Sequence, residues 1–174
     1  MTSLDRKIKE LQLTVTLRPA TRADLPKLEW FGEYTHFRNL FSRTYQEQQR
    51  GHRLMLLADL NDFPIGQIFL HLKPAHNRRF AGSHIYLYAF RVMQMFRGQG
   101  IGSWLLEEAE CIAIARGHTW TTIAVAKDNP AALRLYQRRG YQVYAEDAGQ
   151  WNYVDDQGKT RYVDEPCWLL EKSL

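Results

Sequence analysis

The stretch Arg97-Gly98-Gln99-Gly100-Ile101-Gly102 sets three alternating glycines directly ahead of a helix-period segment, residues 100–116. In that segment Ile101, Trp104, Leu105, Ala109 and Ile112 fall on one apolar stripe, and Gly117 ends it. Such a run turns backbone N–H groups toward an anion. The first amides of a helix have no intrahelical partner, the helix dipole is positive there, and glycine removes the Cβ that would hold a ligand away. The first functional expectation is therefore a phosphate-bearing ligand.

Working outward, residues 84–93 are rich in Ile, Tyr, Phe and Val and read as the strand entering this loop. On the far side, residues 119–126 read as a short buried strand, and residues 141–145 as another. Between them Asn129 can cap a helix that starts on Pro130 and stops before Gly140.

Toward the N-terminus, residues 14–18 are strand-like. Thr21 and Asp24 are placed to cap a helix bearing Leu25, Leu28, Trp30 and Phe31 on its apolar side. Residues 34–50, with Phe37, Leu40, Phe41 and Tyr45, predict a second helix closed by Gly51. Residues 53–59 and 65–73 predict a hairpin around a turn at 61–64, followed by a basic loop, 74–82, with His76, Arg78 and Arg79.

Near the C-terminus, residues 151–154 and 160–163 predict a hairpin, and 167–171 a last strand. Residues 1–12 read as an N-terminal arm or a short helix. The order β-α-α-β-β-β-α-β-α-β-β describes a mixed α/β or α+β sheet with helices on its faces, in one domain spanning residues 1–174.

The bulk properties are those of an ordinary globular protein. Its 174 residues are 45% hydrophobic and 24% charged, which argues against disorder. Twenty-three basic against 19 acidic residues leave +4, too little to demand nucleic acid, and no nucleic-acid-binding signature accompanies it. Two cysteines, Cys111 and Cys167, fit a reducing compartment better than a disulfide framework, and no zinc-site spacing appears, so no metal is expected. No apolar run suits a signal peptide or a membrane span, which makes the cytoplasm the expected location.

Two common glycine motifs fail here. A Walker loop needs Gly-Lys-Ser/Thr, whereas Gly102 is followed by Ser103 and Trp104. A dinucleotide fingerprint needs G-x-G-x-x-G and an acidic residue roughly 20 positions on; here the glycines are G-x-G-x-G and residues 119–125 contain no acid.

A third pattern agrees. Arg97-x-x-Gly100-x-Gly102, after a strand and opening a helix, resembles the pyrophosphate-binding segment of the GNAT superfamily of acyl-CoA-dependent N-acetyltransferases. Phe90-x-Val92-x-x-x-Phe96-Arg97 is similar to the strand leading into that loop. Asn129-Pro130-Ala131-Ala132-Leu133-Arg134-Leu135-Tyr136, closed by Gly140-Tyr141, is similar to the family's second CoA motif. The likeness covers residues 88–143.

The resemblance implies a mixed, mostly antiparallel twisted sheet of about seven strands, helices on both faces, and splayed central strands that bind CoA. It implies acetyl-CoA as cosubstrate and direct transfer, in a ternary complex, to a primary amine of a small molecule or of a protein or peptide. Cofactor binding then falls to Arg97, Gly98, Gln99, Gly100, Ile101, Gly102 and Ser103 at the pyrophosphate. Phe90, Arg91 and Val92 line the pantetheine arm, joined by Asn129 and Tyr136. The Val92 amide becomes the donor to the thioester carbonyl and Tyr136 the general acid.

This chain departs from the family in lacking a carboxylate on the strand before the loop. His84, whose pKa lies near neutrality and which shares a face with Tyr86 and Tyr88, is the candidate base, beside a water chain to solvent. The missing carboxylate also keeps open a non-catalytic acyl-CoA-binding module.

Acceptor candidates are the aromatic residues Tyr34, His36, Trp151 and Tyr153, and the acids Asp62, Asp147, Asp155, Asp156, Asp164 and Glu165. The C-terminal hairpin is a candidate surface for a homodimer.

Overall fold

A computed structural model of the chain describes residues 10–74 and 83–174. Among the described residues nine strands form: β1 (Thr16–Pro19), β2 (Arg53–Leu60), β3 (Phe63–His71), β4 (His84–Val92), β5 (Trp120–Ala126), β6 (Gln142–Asp147), β7 (Gln150–Val154), β8 (Thr160–Asp164) and β9 (Cys167–Ser173). Three α-helices accompany them, α1 (Arg38–Gln49), α2 (Ile101–Ala115) and α3 (Pro130–Arg138).

Seven strands share one sheet in the order β1-β2-β3-β4-β5-β9-β6, and β7 and β8 pair separately as a hairpin. Every neighbouring pair is antiparallel except β4–β5, the two strands joined through the α2 crossover.

Helices cover both faces. On one side Leu105, Leu106 and Ala109 of α2 meet Leu54, Leu56, Ile68, Leu70, Ile85 and Leu87. On the other, Phe41 of α1 and Leu28 meet Met55, Leu57 and Phe69. Because β2 is covered on both faces, it reads as an unbroken apolar run and not as an alternation.

Four sequence expectations change. The helix expected after Thr21 does not form; two short 3-10 turns, Arg22–Asp24 and Lys27–Glu29, stand on either side of Pro26. Proline cannot continue the amide ladder. The Trp30 indole donates from Nε1 to the Pro64 carbonyl at 2.9 Å, drawing Trp30 and Phe31 into left-handed conformations (φ 43° and 59°). That tertiary anchor overrides the periodicity and leaves Phe31 exposed.

The second helix begins at Arg38 after a 3-10 turn at Thr35–Phe37, four residues later than expected. Trp104 is 41% exposed, turned toward Leu11, Leu13 and Val15, so it leaves the buried stripe of α2. The β2–β3 turn is Asn61-Asp62, both with positive φ, and Phe63 and Pro64 already belong to β3. Residues 1–9 and 75–82, with His76, Arg78 and Arg79, lie outside the described residues.

Candidate active site

The central opening arises from competition between strand partners. β4 pairs with β5 only from His84↔Trp120 to Leu87↔Ile123. Beyond that point β4 continues along β3 as far as Val92, and β5 follows β9 as far as Ala126. Each strand keeps its antiparallel neighbour, so a gap opens between them.

Ladder alternation says which groups face it. Met93 N–H donates to the Ile65 carbonyl at 2.8 Å and Arg91 is registered with Gln67, so the intervening N–H groups of Phe90 and Val92 point away from β3, into the gap.

The glycine loop closes one end of this gap. Arg97 donates from Nε to the Val92 carbonyl at 2.8 Å, tying the loop to β4. Gly98 and Gly100 adopt φ +76° and +83°, and a Cβ on either would meet no protein atom within 4 Å. The open space in front of them is therefore available to a ligand.

Gly102 differs: its Cβ would sit 3.4 Å from Phe90 Cζ, so here glycine serves the close approach of α2 to β4. Gly100 is the N-cap of α2 and supplies no side-chain bond, and the first intrahelical bond runs from Trp104 N–H to the Gly100 carbonyl at 3.0 Å. The amides of Ile101, Gly102 and Ser103 thus lack an intrahelical partner at the positive end of a 15-residue helix, beside the exposed Gln99. Free amides at the helix end, followed by free amides along a strand edge, form a donor set suited to a pyrophosphate carrying an extended amide arm.

α3 approaches the same gap. Asn129 accepts from Ala132 N–H at 3.1 Å through its Oδ1, and Pro130 opens the helix, so the cap forms as the sequence signals. Seven residues on, Tyr136 is 5% exposed, with its ring 6.1 Å from Phe90 and 6.0 Å from Tyr141. Burial pushes its phenol well above the ordinary tyrosine range, with Tyr86 adding to the effect, and no hydrogen bond among the described residues engages its hydroxyl. It is held as a protonated donor.

His84 is not brought to this place. It opens β4 at the closed end of the β4–β5 pair, roughly 25 Å from Val92 at about 3.3 Å per strand residue.

A bulge creates the other half of the site. Between Phe69↔Tyr88 and Gln67↔Arg91, β4 carries one extra residue, Ala89, with φ 49°. The buried Gln67 amide donates to the Ala89 carbonyl at 3.0 Å and pins the bulge. The face parity of β4 then switches. Phe90 and Val92 join Ile85 and Leu87 on the α2 side, whereas Arg91 joins Tyr88 on the α1 side.

There it enters a cleft of about 780 Å³, whose lining includes Phe37, Arg43, Arg53, Tyr86, Tyr88 and Trp151. The Arg91 guanidinium lies 4.2 Å from the Tyr34 ring centroid and 5.0 Å from that of Phe37. Arg53 donates to the Tyr88 hydroxyl at 2.8 Å.

Of the acidic candidates, Asp147 and Glu165 line the cleft; Asp62, Asp155, Asp156 and Asp164 do not. Asp155 is instead consumed inside the β7–β8 turn, accepting from the Gln157 and Lys159 amides at 2.9 Å and from Arg161 at 2.6 Å. Among the aromatic candidates, Trp151 lines the cleft, and Tyr34, His36 and Tyr153 cluster around Phe37.

The sequence reading used Arg91 only for its backbone and missed its side chain. The available signal was Gln67, a polar residue inside an otherwise apolar buried strand.

Comparison with known proteins agrees with this geometry. The model of the acetyltransferase (GNAT) family matches residues 20–141. A 68-residue segment is 34% identical to mouse (Mus musculus) thialysine N-epsilon-acetyltransferase, covering 39% of this chain and 40% of that protein's length.

Among solved structures, a putative GNAT acetyltransferase from Desulfovibrio desulfuricans superposes with a TM-score of 0.70 at 16% identity, over 92% of this chain and 99% of that one. Arabidopsis thaliana NAA60 in complex with acetyl-CoA gives 0.68 at 18% identity, over 92% and 99%. The ribosomal-protein-S18-alanine N-acetyltransferase of Escherichia coli gives 0.69 at 17% identity, over 92% and 94%. At these identities the structural likeness establishes the fold.

Proposed function

Because the chain belongs to the acetyltransferase (GNAT) family, we propose that it is an acetyl-CoA-dependent N-acetyltransferase that acylates a primary amine directly, with both substrates bound at once. Acetyl-CoA supplies an acetyl thioester, an electrophilic carbon with a thiol as leaving group. The observation that carries the reading is the opening between β4 and β5, with unpaired α2 amides at one end and the buried Tyr136 beside it.

Each residue then has a task. The amides of residues 101–103, with Gln99, Arg97 and the two positive-φ glycines, hold the pyrophosphate. The Phe90 and Val92 N–H groups hold the amide arm as an added strand would be held. The Val92 N–H also faces the position where negative charge grows on the carbonyl oxygen, a contact that typically contributes about 10²-fold or more. Tyr136 donates a proton toward the departing sulfur.

Asn129 caps α3 and so fixes where Tyr136 stands. His84 takes no part, because its position on β4 is remote from Val92. The amine loses its proton to water in the cleft. Two free cysteines support placement in a reducing compartment such as the cytoplasm.

The test is release of free thiol when the protein is incubated with acetyl-CoA and a broad panel of amines. Turnover supports the reading. Tight CoA binding with no turnover across the panel overturns it in favour of a non-catalytic acyl-CoA-binding module.

A further inference from the structure

We infer that the acceptor of this enzyme carries a carboxylate as well as the reacting amine, and that the Arg91 side chain is the residue that reads it. This rests on the transferase reading above and adds the class of amine.

Four observations converge on Arg91. First, Nη1 of its guanidinium is buried without a hydrogen-bond partner, and no other bond or ion pair engages the group among the described residues. A buried donor left unpaired costs about 1–3 kcal/mol, more when it is charged, so such a group is ordinarily found with its acceptor.

Second, the two carboxylates that act on it, Glu33 and Glu165, do so at Coulombic range without closing an ion pair. Burial lowers the pKa of Arg91, which marks the cost of keeping the charge where it is.

Third, the Tyr34 and Phe37 rings lie against the guanidinium and hold it in place, as preorganised recognition requires. Fourth, a strained bulge at Ala89, braced by Gln67, exists at the position that turns Arg91 from the α2 face into the acceptor cleft. With regular alternation Arg91 would point to the cofactor side.

The cleft holds charges of both signs. Arg43, Arg53 and Arg91 line it from α1, β2 and β4, and Asp147 from the end of β6 and Glu165 just after β8 line it too. A polyamine or a plain alkylamine would meet three arginines and gain nothing from Arg91. A molecule bearing both an ammonium and a carboxylate, as free amino acids do, has a partner for each of its charges among these residues. The planar fork of arginine donates two parallel hydrogen bonds to a carboxylate, which a lysine at this position could not reproduce.

The experiment uses matched amines, each presented as the free carboxylate and as its carboxamide. Lysine with lysinamide and β-alanine with β-alaninamide are suitable pairs. Binding to the full-length protein in the presence of CoA is measured by calorimetry, and transfer with acetyl-CoA by thiol release.

The unaltered protein should bind the carboxylate member at least about tenfold more tightly in one or more pairs. R91M should abolish that preference while leaving CoA affinity within about twofold, and R91K should recover only part of it. Equal binding of the two members in every pair, preference for the amide, absence of any binding across the panel, or an R91M loss shared equally by both members would each overturn the inference.

Carboxylate-selective binding without thiol release would sink the transferase reading and leave this one standing. Transfer without carboxylate preference would do the reverse. The preference in the unaltered protein needs no variant, so it decides the matter even if R91M does not fold.

Discussion

Replacing Tyr136 with phenylalanine separates catalysis from packing. The ring sits 5% exposed between Phe90 and Tyr141, at centroid distances of 6.1 and 6.0 Å, and all of that contact survives the change. No hydrogen bond among the described residues is lost with the hydroxyl. With the ring contacts kept and no bond given up, Y136F should melt within a degree or two, about the error of a melt, of the parent.

Transfer, by contrast, should fall. Loss of a positioned proton donor typically costs about 10²-fold in rate, or about 2.7 kcal/mol of barrier at 1.36 kcal/mol per decade. The loss belongs in kcat, with KM for acetyl-CoA within about twofold.

The pH behaviour carries a second signature. Burial raises the folded pKa above the ordinary value near 10, so the donor form persists through neutral and mildly alkaline pH. In the unfolded chain the phenol ionises from about pH 10 while the folded one stays protonated, so stability declines as pH rises above about 10; Y136F should lack that alkaline decline. Thiol-release kinetics and thermal melts at several pH values measure both effects. An unchanged kcat, or a kcat loss matched by a falling melting temperature, would refute the assignment of Tyr136 as donor.

Three further outcomes are expected. Gly149→Ala should destabilise by about 3 kcal/mol or more, since its Cβ would lie 1.8 Å from the Glu165 carbonyl oxygen at a φ of +65°; a melting-temperature fall under about 5 °C would contradict this. Gly100→Ala should cost about 1–2 kcal/mol of stability through its left-handed φ, and it should lower CoA affinity by about tenfold or more because the methyl enters the space before the α2 amides; calorimetry showing unchanged CoA affinity would remove that loop from the site. Acid should unfold the protein partly through Asp24. Burial alone would raise its pKa, but the paired bonds from Arg18 and those from Thr21 prevail and hold it at about 2. The contribution, about 2 kcal/mol, is present above pH ~4 and lost as pH falls toward 2, and Asp24→Asn should flatten stability over that window.

Much of the cofactor side was legible because its signals are local. A glycine run opening a helix, an Asn-Pro start with a glycine stop, and a turn at 61–64 between two apolar runs are each set by the backbone energetics of a few neighbouring residues. They pointed to α2, α3 and the β2–β3 hairpin before any packing was known, and the resemblance they supported implied the seven-stranded sheet that is found.

The misreadings fall where long-range contacts outweigh local pattern. The apolar spacing at 25–31 suggested a helix, yet an indole bond to Pro64, 34 residues away, holds Trp30 and Phe31 in left-handed turns. Period-two alternation along β4 missed that Arg91 enters the cleft, because nothing within residues 84–92 announces that Ala89 bulges; the residue that pins it, Gln67, is on another strand.

The family and the glycine loop that opens α2 could thus be read from the residues alone, since both depend on which backbone conformations short segments prefer. The rest came from packing across the fold. β9 drew β5 away from β4 and opened the gap, the length of β4 carried His84 away from it, and one extra residue turned an arginine from the α2 face to the α1 face. Strand pairing is a competition among segments distant in sequence, and a single-residue change of register reverses every side chain beyond it.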